Sequence, residues 1–191
     1  MKMLTIAMLL ALMMIVVAGT AGYGEETNVL VAYFSCTGNT RSLAKHVADA
    51  LNSTLYEIKP EIPYTSADLN WRDNSSRTSL EKNDPSFRPA ISGAVEDMGK
   101  YGIVFLGYPI WWGQTPRIIN TFLESYDFSG KTIVPFCTSG SSGIGSSAIN
   151  LHGLCAGSTN WLSGARLPSS ASRNDVVSWI NGLGLDINAE K

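Results

Sequence analysis

The ten residues 33–42, YFSCTGNTRS, bring together groups that bind a phosphate. Ser35, Thr37 and Thr40 offer hydroxyl donors, and Gly38 lets the backbone bend close to an anion. An apolar run precedes the stretch and a helical pattern follows it. Such a junction aims unpaired backbone N–H groups and the positive end of a helix dipole at one point. The stretch also holds Cys36 and Arg41, so attack of a thiolate on a phosphate is the competing chemistry.

Spacing separates the two readings. Low-molecular-weight tyrosine phosphatases and arsenate reductases place five residues between their cysteine and arginine. Here only Thr37, Gly38, Asn39 and Thr40 intervene. A loop that must face a phosphate with thiolate and guanidinium from suitable sides loses that geometry when shortened. The pair Asp84–Pro85 imitates that family's general acid but lies far earlier than expected. Cys36 therefore reads as a filler of the loop. A Walker A loop is excluded, since no Gly-Lys-Ser/Thr follows.

Two further stretches share the same character. Residues 107–116, GYPIWWGQTP, place adjacent tryptophans just past an apolar run. They read as a core corner, a partner patch or a platform for a flat ring, since aromatic faces stack on planar heterocycles. Residues 138–147, TSGSSGIGSS, combine glycine and hydroxyls, letting the backbone approach a ring edge and donate to its heteroatoms. A phosphate loop beside an aromatic platform describes a ligand with a ring and a phosphate tail.

These stretches need strands to carry them. Residues 28–34, NVLVAYF, read as a buried strand. A helix follows over about 39–51, with Leu43, Val47 and Leu51 on one face. Residues 55–58 form a second strand, 101–109 a third, 131–137 a fourth and 159–167 a fifth. Helices are expected over 90–98, from Thr115 as N-cap with Pro116 first, after the 138–147 loop, and after Ser172, where Ser172 and Asp175 form a capping box. Residues 59–90 hold Pro60, Pro63, Pro85 and Pro89 and read as a long surface excursion, with a turn of helix near 79–82. Alternation of this kind gives an α/β fold with a parallel sheet, and ligands of such folds sit at the carboxyl ends of the strands. All three loops fall there.

In that order, at those strand ends, SCTGNTRSLA, YPIWWG and TSGSSGIG together resemble the phosphate loop and two ring-binding loops of the flavodoxin family. The resemblance implies a flavodoxin-like doubly wound, five-stranded parallel sheet in the order 2-1-3-4-5, helices on both faces, over residues 28–186. It also implies noncovalent FMN. By motif position, Ser35, Thr37, Gly38, Asn39 and Thr40 would hold the phosphate, with Cys36 among them in the loop. Pro109, Ile110, Trp111, Trp112 and Gly113 would line the ring, and Thr138, Ser139, Gly140 and Gly143 its pyrimidine edge.

The chain departs from the family's electron shuttles in charge. Those are usually very acidic, which steers them to basic partners, whereas the formal charge here is −2. That value also offers no basic face for nucleic acid. The third loop carries no aromatic to cover the outer ring face, leaving it open to a small substrate unless Tyr64 or Trp71 of the excursion folds over it. Arg41 is the nearest candidate cation and is expected to flank the phosphate. The expected function is an FMN oxidoreductase passing electrons to a small acceptor such as a quinone. The alternatives are a one-electron carrier for a protein partner, a flavin-storage module, and the phosphatase acting through Cys36. No nicotinamide fingerprint occurs, so the electron donor stays open.

The amino terminus follows a secretory pattern. Lys2 precedes residues 4–17, LTIAMLLALMMIVV, and small residues follow, with cleavage expected after Ala18 or Ala21. Cleavage after Ala21 removes Lys2 and leaves 13 cations against 16 carboxylates, a charge of −3. An uncleaved anchor is the other reading, since residues 3–24 are uncharged. The expected location is extracytoplasmic, with no stable membrane insertion after cleavage. Cys36, Cys137 and Cys155 do not form a disulfide framework; Cys137–Cys155 pairing is open, and free thiols are preferred. His46 and His152 lack the spacing of zinc ligands.

Overall fold

Burial within the first strand decides the architecture. Leu30, Ala32 and Phe34 point into one core, Val31 and Tyr33 into another, as the two-residue period of a strand requires. A strand apolar on both faces must be covered on both, and helices do this in parallel sheets. The computed structural model describes residues 28–187 and 189. The expected export segment, residues 1–21, lies outside the described residues.

The strands are β1 (Asn28–Tyr33), β2 (Thr54–Glu57), β3 (Lys59–Pro60), β4 (Ile91–Ser92), β5 (Tyr101–Pro109), β6 (Thr132–Thr138), β7 (Asn160–Trp161) and β8 (Ala165–Arg166). The helices are α1 (Asn39–Ala50), α2 (Arg77–Asn83), α3 (Arg117–Glu124) and α4 (Arg173–Asn181). The main sheet runs β2-β1-β5-β6-β7, with β8 also on β6, and every pair in it is parallel. This is the expected order 2-1-3-4-5. The fifth strand is split, because Pro135 of β6 has no N–H to donate where the ladder would continue.

One face of the sheet is covered by α1, through Leu43 and Val47, and by α4, through Val176, Val177 and Ile180. The other is covered by α3, through Ile118, Ile119, Phe122 and Leu123. The capping box of α4 forms as expected: the Ser172 hydroxyl accepts from the Asp175 N–H at 3.2 Å, and the Asp175 carboxylate accepts from the Ser172 N–H at 2.9 Å.

Four expectations shift. Residues 90–98 are not a helix: β4 pairs antiparallel with β3, and a 3-10 turn, Met98–Lys100, follows. Val95 and Met98 are buried at a helical spacing, but Gly93 at φ 81° and Asp97 at φ 50° take the backbone into the left-handed region. The turn expected near 79–82 is the seven-residue α2, capped by Ser76. Pro116, not Thr115, is the cap residue of α3. A 3-10 helix, Ile149–Leu154, stands where an α-helix was expected after the third loop.

Candidate functional site

Strands β1, β5 and β6 are neighbours, and their carboxyl ends are in register. Tyr33 lies beside Gly107, and Pro109 beside Thr138. The three loops therefore emerge along one edge, around a cavity of about 710 Å³.

The first loop ends at Gly38, whose φ of 89° turns the chain into α1. No side chain caps this helix, so the N–H groups of its first turn have no intrahelical acceptor. The Ser35 hydroxyl accepts from the Gly38 N–H at 3.1 Å and keeps its own proton to give. Ser35, Cys36, Thr37 and Thr40 line the cavity. Gly38 shapes the turn, and neither it nor Asn39 forms part of the wall.

The second loop is a two-residue hairpin. The Trp111 N–H donates to the Gln114 carbonyl at 3.0 Å, and the Gln114 N–H to the Trp111 carbonyl at 2.9 Å. Between them Trp112 and Gly113 have φ of 48° and 75°, the two positive values a type I′ turn needs. A tryptophan in the left-handed region costs on the order of 1 kcal/mol or more, and the strain puts its ring on the cavity rim. All of Pro109, Ile110, Trp111, Trp112 and Gly113 line the cavity. Trp111 is wedged edge-on against Phe34 at 5.6 Å and Tyr64 at 5.6 Å.

The third loop lends Ser139, Gly140, Ser141 and Ser142 to the wall. Its shape is held from within by the Ser139 hydroxyl on the Ser142 carbonyl. From behind, Arg166 Nη2 donates to the carbonyls of Ser139 and Gly140 at 3.2 and 3.3 Å. A Cβ at Gly140 would meet no protein atom within 4 Å, so glycine here leaves the backbone accessible from the cavity rather than serving packing. Thr138 is buried beneath the loop and Gly143 lies beyond the wall.

The excursion supplies a fourth wall of Leu69, Trp71 and Thr78. Of the two expected covers, Trp71 reaches the cavity. Tyr64 instead packs beneath Trp111, where its hydroxyl donates to Glu81 at 2.7 Å. Leu69, Thr78, Ser141, Ser142 and Arg166 were not singled out in the sequence. Only the serines carried a signal, as part of the glycine–serine loop.

One expectation about charge is corrected. Arg41, expected to flank the phosphate, is not part of the cavity wall; its guanidinium pairs with Glu57 of β2 at 2.5 Å. Arg166, instead, reaches the third loop. The phosphatase alternative finds no support at Cys36. Burial pushes the Cys36 thiol up to about 12, whereas a nucleophilic cysteine needs a lowered value. Cys36, Cys137 and Cys155 are all free thiols.

A family model described as Flavodoxin matches residues 28–183. No curated protein matches the chain. Among solved structures, a protein of Bacteroides eggerthii DSM 20697 classed provisionally as a flavoprotein is 46% identical. The match covers 84% of this chain and 99% of that one at a TM-score of 0.79. A second, of the same provisional class, from Bacteroides uniformis ATCC 8492, is 47% identical over 81% of this chain and 98% of that one, at 0.77. A flavoprotein of Lactobacillus acidophilus NCFM, solved in complex with FMN, shares the fold at 20% identity. There the match covers 83% of this chain and 99% of that one, with a TM-score of 0.61.

Proposed function

The chain belongs to the flavodoxin family and FMN is its cofactor; on that premise we propose that it is an FMN oxidoreductase that passes electrons to a small acceptor such as a quinone. The donor set fits FMN. Uncapped N–H groups of α1 and the hydroxyls of Ser35, Thr37 and Thr40 suit a phosphate. Trp111 and Trp112 suit the flat face of a ring, and the backbone of Ser139 and Gly140 its polar edge. FMN supplies reversible uptake of electrons, and the protein's part is to bind, orient and tune it. Trp111, locked by Phe34 and Tyr64, holds one wall in place without reorganisation. Arg166 adds positive charge behind the third loop, where it favours added negative charge nearby.

The observation that carries the reading is the third loop. It gives the cavity only serine and glycine, so no aromatic from it closes the outer side to a small molecule. The near-neutral charge supports the same choice over steering to a basic protein. The apolar run at residues 4–17 supports export, and we place this activity outside the cytoplasm.

The test is reoxidation. FMN-loaded protein, reduced with dithionite under anaerobic conditions, is mixed with 1,4-benzoquinone or with cytochrome c, a basic protein acceptor. Faster reoxidation by the quinone is expected. Reoxidation by the protein acceptor alone overturns the reading in favour of a carrier.

A further inference from the structure

We propose that residues 69–78 form the binding wall for the electron acceptor, and that the acceptor is a flat, uncharged conjugated ring of the naphthoquinone type, stacked on Trp71. The inference rests on the oxidoreductase reading above and names its substrate class. Leu69, Trp71 and Thr78 belong to none of the three strand-end loops that suit FMN, yet they line the same cavity. They come from the connection between β3 and β4.

Trp71 is the odd member of that cavity. It is 60% exposed, whereas Trp111 is packed between Phe34 and Tyr64. A large aromatic held in the open on a cavity wall is a surface for a second ring. The segment that carries it is fixed. The Thr78 hydroxyl donates to the Asp68 carbonyl at 2.7 Å, and the Thr65 N–H and hydroxyl donate to the Asp68 carboxylate at 2.8 and 2.7 Å. Arg77 Nη1 donates to the Ile62 carbonyl at 2.7 Å, and Arg117 ties the end of α2 down through the carbonyls of Glu81 and Lys82. A wall ordered before binding loses little entropy on binding.

Charge sets the class of ligand. Among the described residues no Asp, Glu, Lys or Arg lines the cavity, so a charged ring entering it would lose hydration without a partner. Two cations sit over tryptophans of the cavity: Arg72 over Trp71 at 4.3 Å and Lys82 over Trp112 at 5.2 Å. They tolerate an anionic substituent that points outward and disfavour a cationic one.

Binding can be read without turnover, because oxidised flavin and oxidised quinone do not react. FMN-loaded protein is titrated with 1,4-naphthoquinone, with its 2-sulfonate and with a trimethylammonium-substituted naphthoquinone, following the change in flavin absorbance. Trp71→Ala is expected to raise the naphthoquinone Kd about tenfold, equivalent to about 1.4 kcal/mol, with the FMN Kd unchanged within about twofold. Trp71→Phe, which keeps a flat ring, restores most of the affinity. The sulfonate binds at least as well as the parent, and the cationic derivative more weakly. A rise in the FMN Kd instead would make Trp71 a cover of the flavin and overturn the proposal, as would a naphthoquinone Kd that does not move. A wild-type protein that retains no flavin sinks the FMN reading itself, and this inference with it.

Discussion

The hydroxyls of Thr40 and Thr138 lie 2.8 Å apart and are both buried, joining the first turn of α1 to the last residue of β6. Two of the three loops around the cavity are therefore held at a fixed separation by one polar contact between residues distant in sequence.

Thr40→Val removes one partner and leaves the Thr138 hydroxyl buried with that bond lost, a cost of about 1–3 kcal/mol. Urea denaturation should show a loss of that size, with weaker retention of FMN. The double variant Thr40→Val, Thr138→Val should cost less than the sum of the two single changes, since both ends of the bond are then apolar.

Tyr64→Phe tests the support beneath the ring wall. Glu81 is only 2% exposed and accepts from the Tyr64 hydroxyl and from Arg77 Nε, each at 2.7 Å. Arg77 also lies 3.9 Å over the Tyr64 ring. Phenylalanine keeps the contacts with Trp111 and Phe34 but removes one donor from a buried carboxylate, so stability should fall by about 1–3 kcal/mol. The FMN spectrum should survive, because the ring that props Trp111 remains.

The thiols give a pH test. Burial raises Cys36 to about 12, and Cys137 and Cys155 each to about 11. These values lie above the unfolded value of about 8.5. Folding thus favours the neutral thiols; their stabilisation is fully present below about pH 8.5 and is lost as pH rises toward the folded values. At pH 8 a disulfide reagent should label the native protein slowly and the urea-unfolded protein quickly. Cys36→Ser should keep FMN and change no phosphatase rate. Rapid labelling of native Cys36 would contradict its placement.

Acid should act through the caps. The hydroxyl and the backbone N–H of Ser172 hold the Asp175 carboxyl below its ordinary value, and Thr65 does the same for Asp68. A depressed carboxylate stabilises the fold above its unfolded value, about 3.9, and loses that contribution as pH falls through the folded one. Urea midpoints should therefore drop below about pH 4. Asp175→Asn should lower the midpoint at pH 7 and flatten its acid dependence.

The three loops were legible because each strand end announces itself locally, and the strand order followed only from the family resemblance those loops carry. An apolar run stops, glycine or hydroxyls follow, and a helix pattern begins. What was not legible depends on partners far along the chain. Arg41 sits within the phosphate loop motif, but Glu57 on the neighbouring strand decides where its guanidinium goes. Nothing periodic in residues 61–90 shows that Asp68 binds Thr78 or that Glu81 gathers Tyr64 and Arg77. Those contacts bring Trp71 to the cavity while turning Tyr64 away from it. The spacing of Val95 and Met98 mimicked a helix that Gly93 and Asp97 break.

The most direct test of the cavity's assignment is the visible absorbance spectrum of the purified protein after mixing with FMN and desalting. A flavin spectrum that stays with the protein is the predicted result. A colourless protein would contradict FMN as the ligand of these three loops.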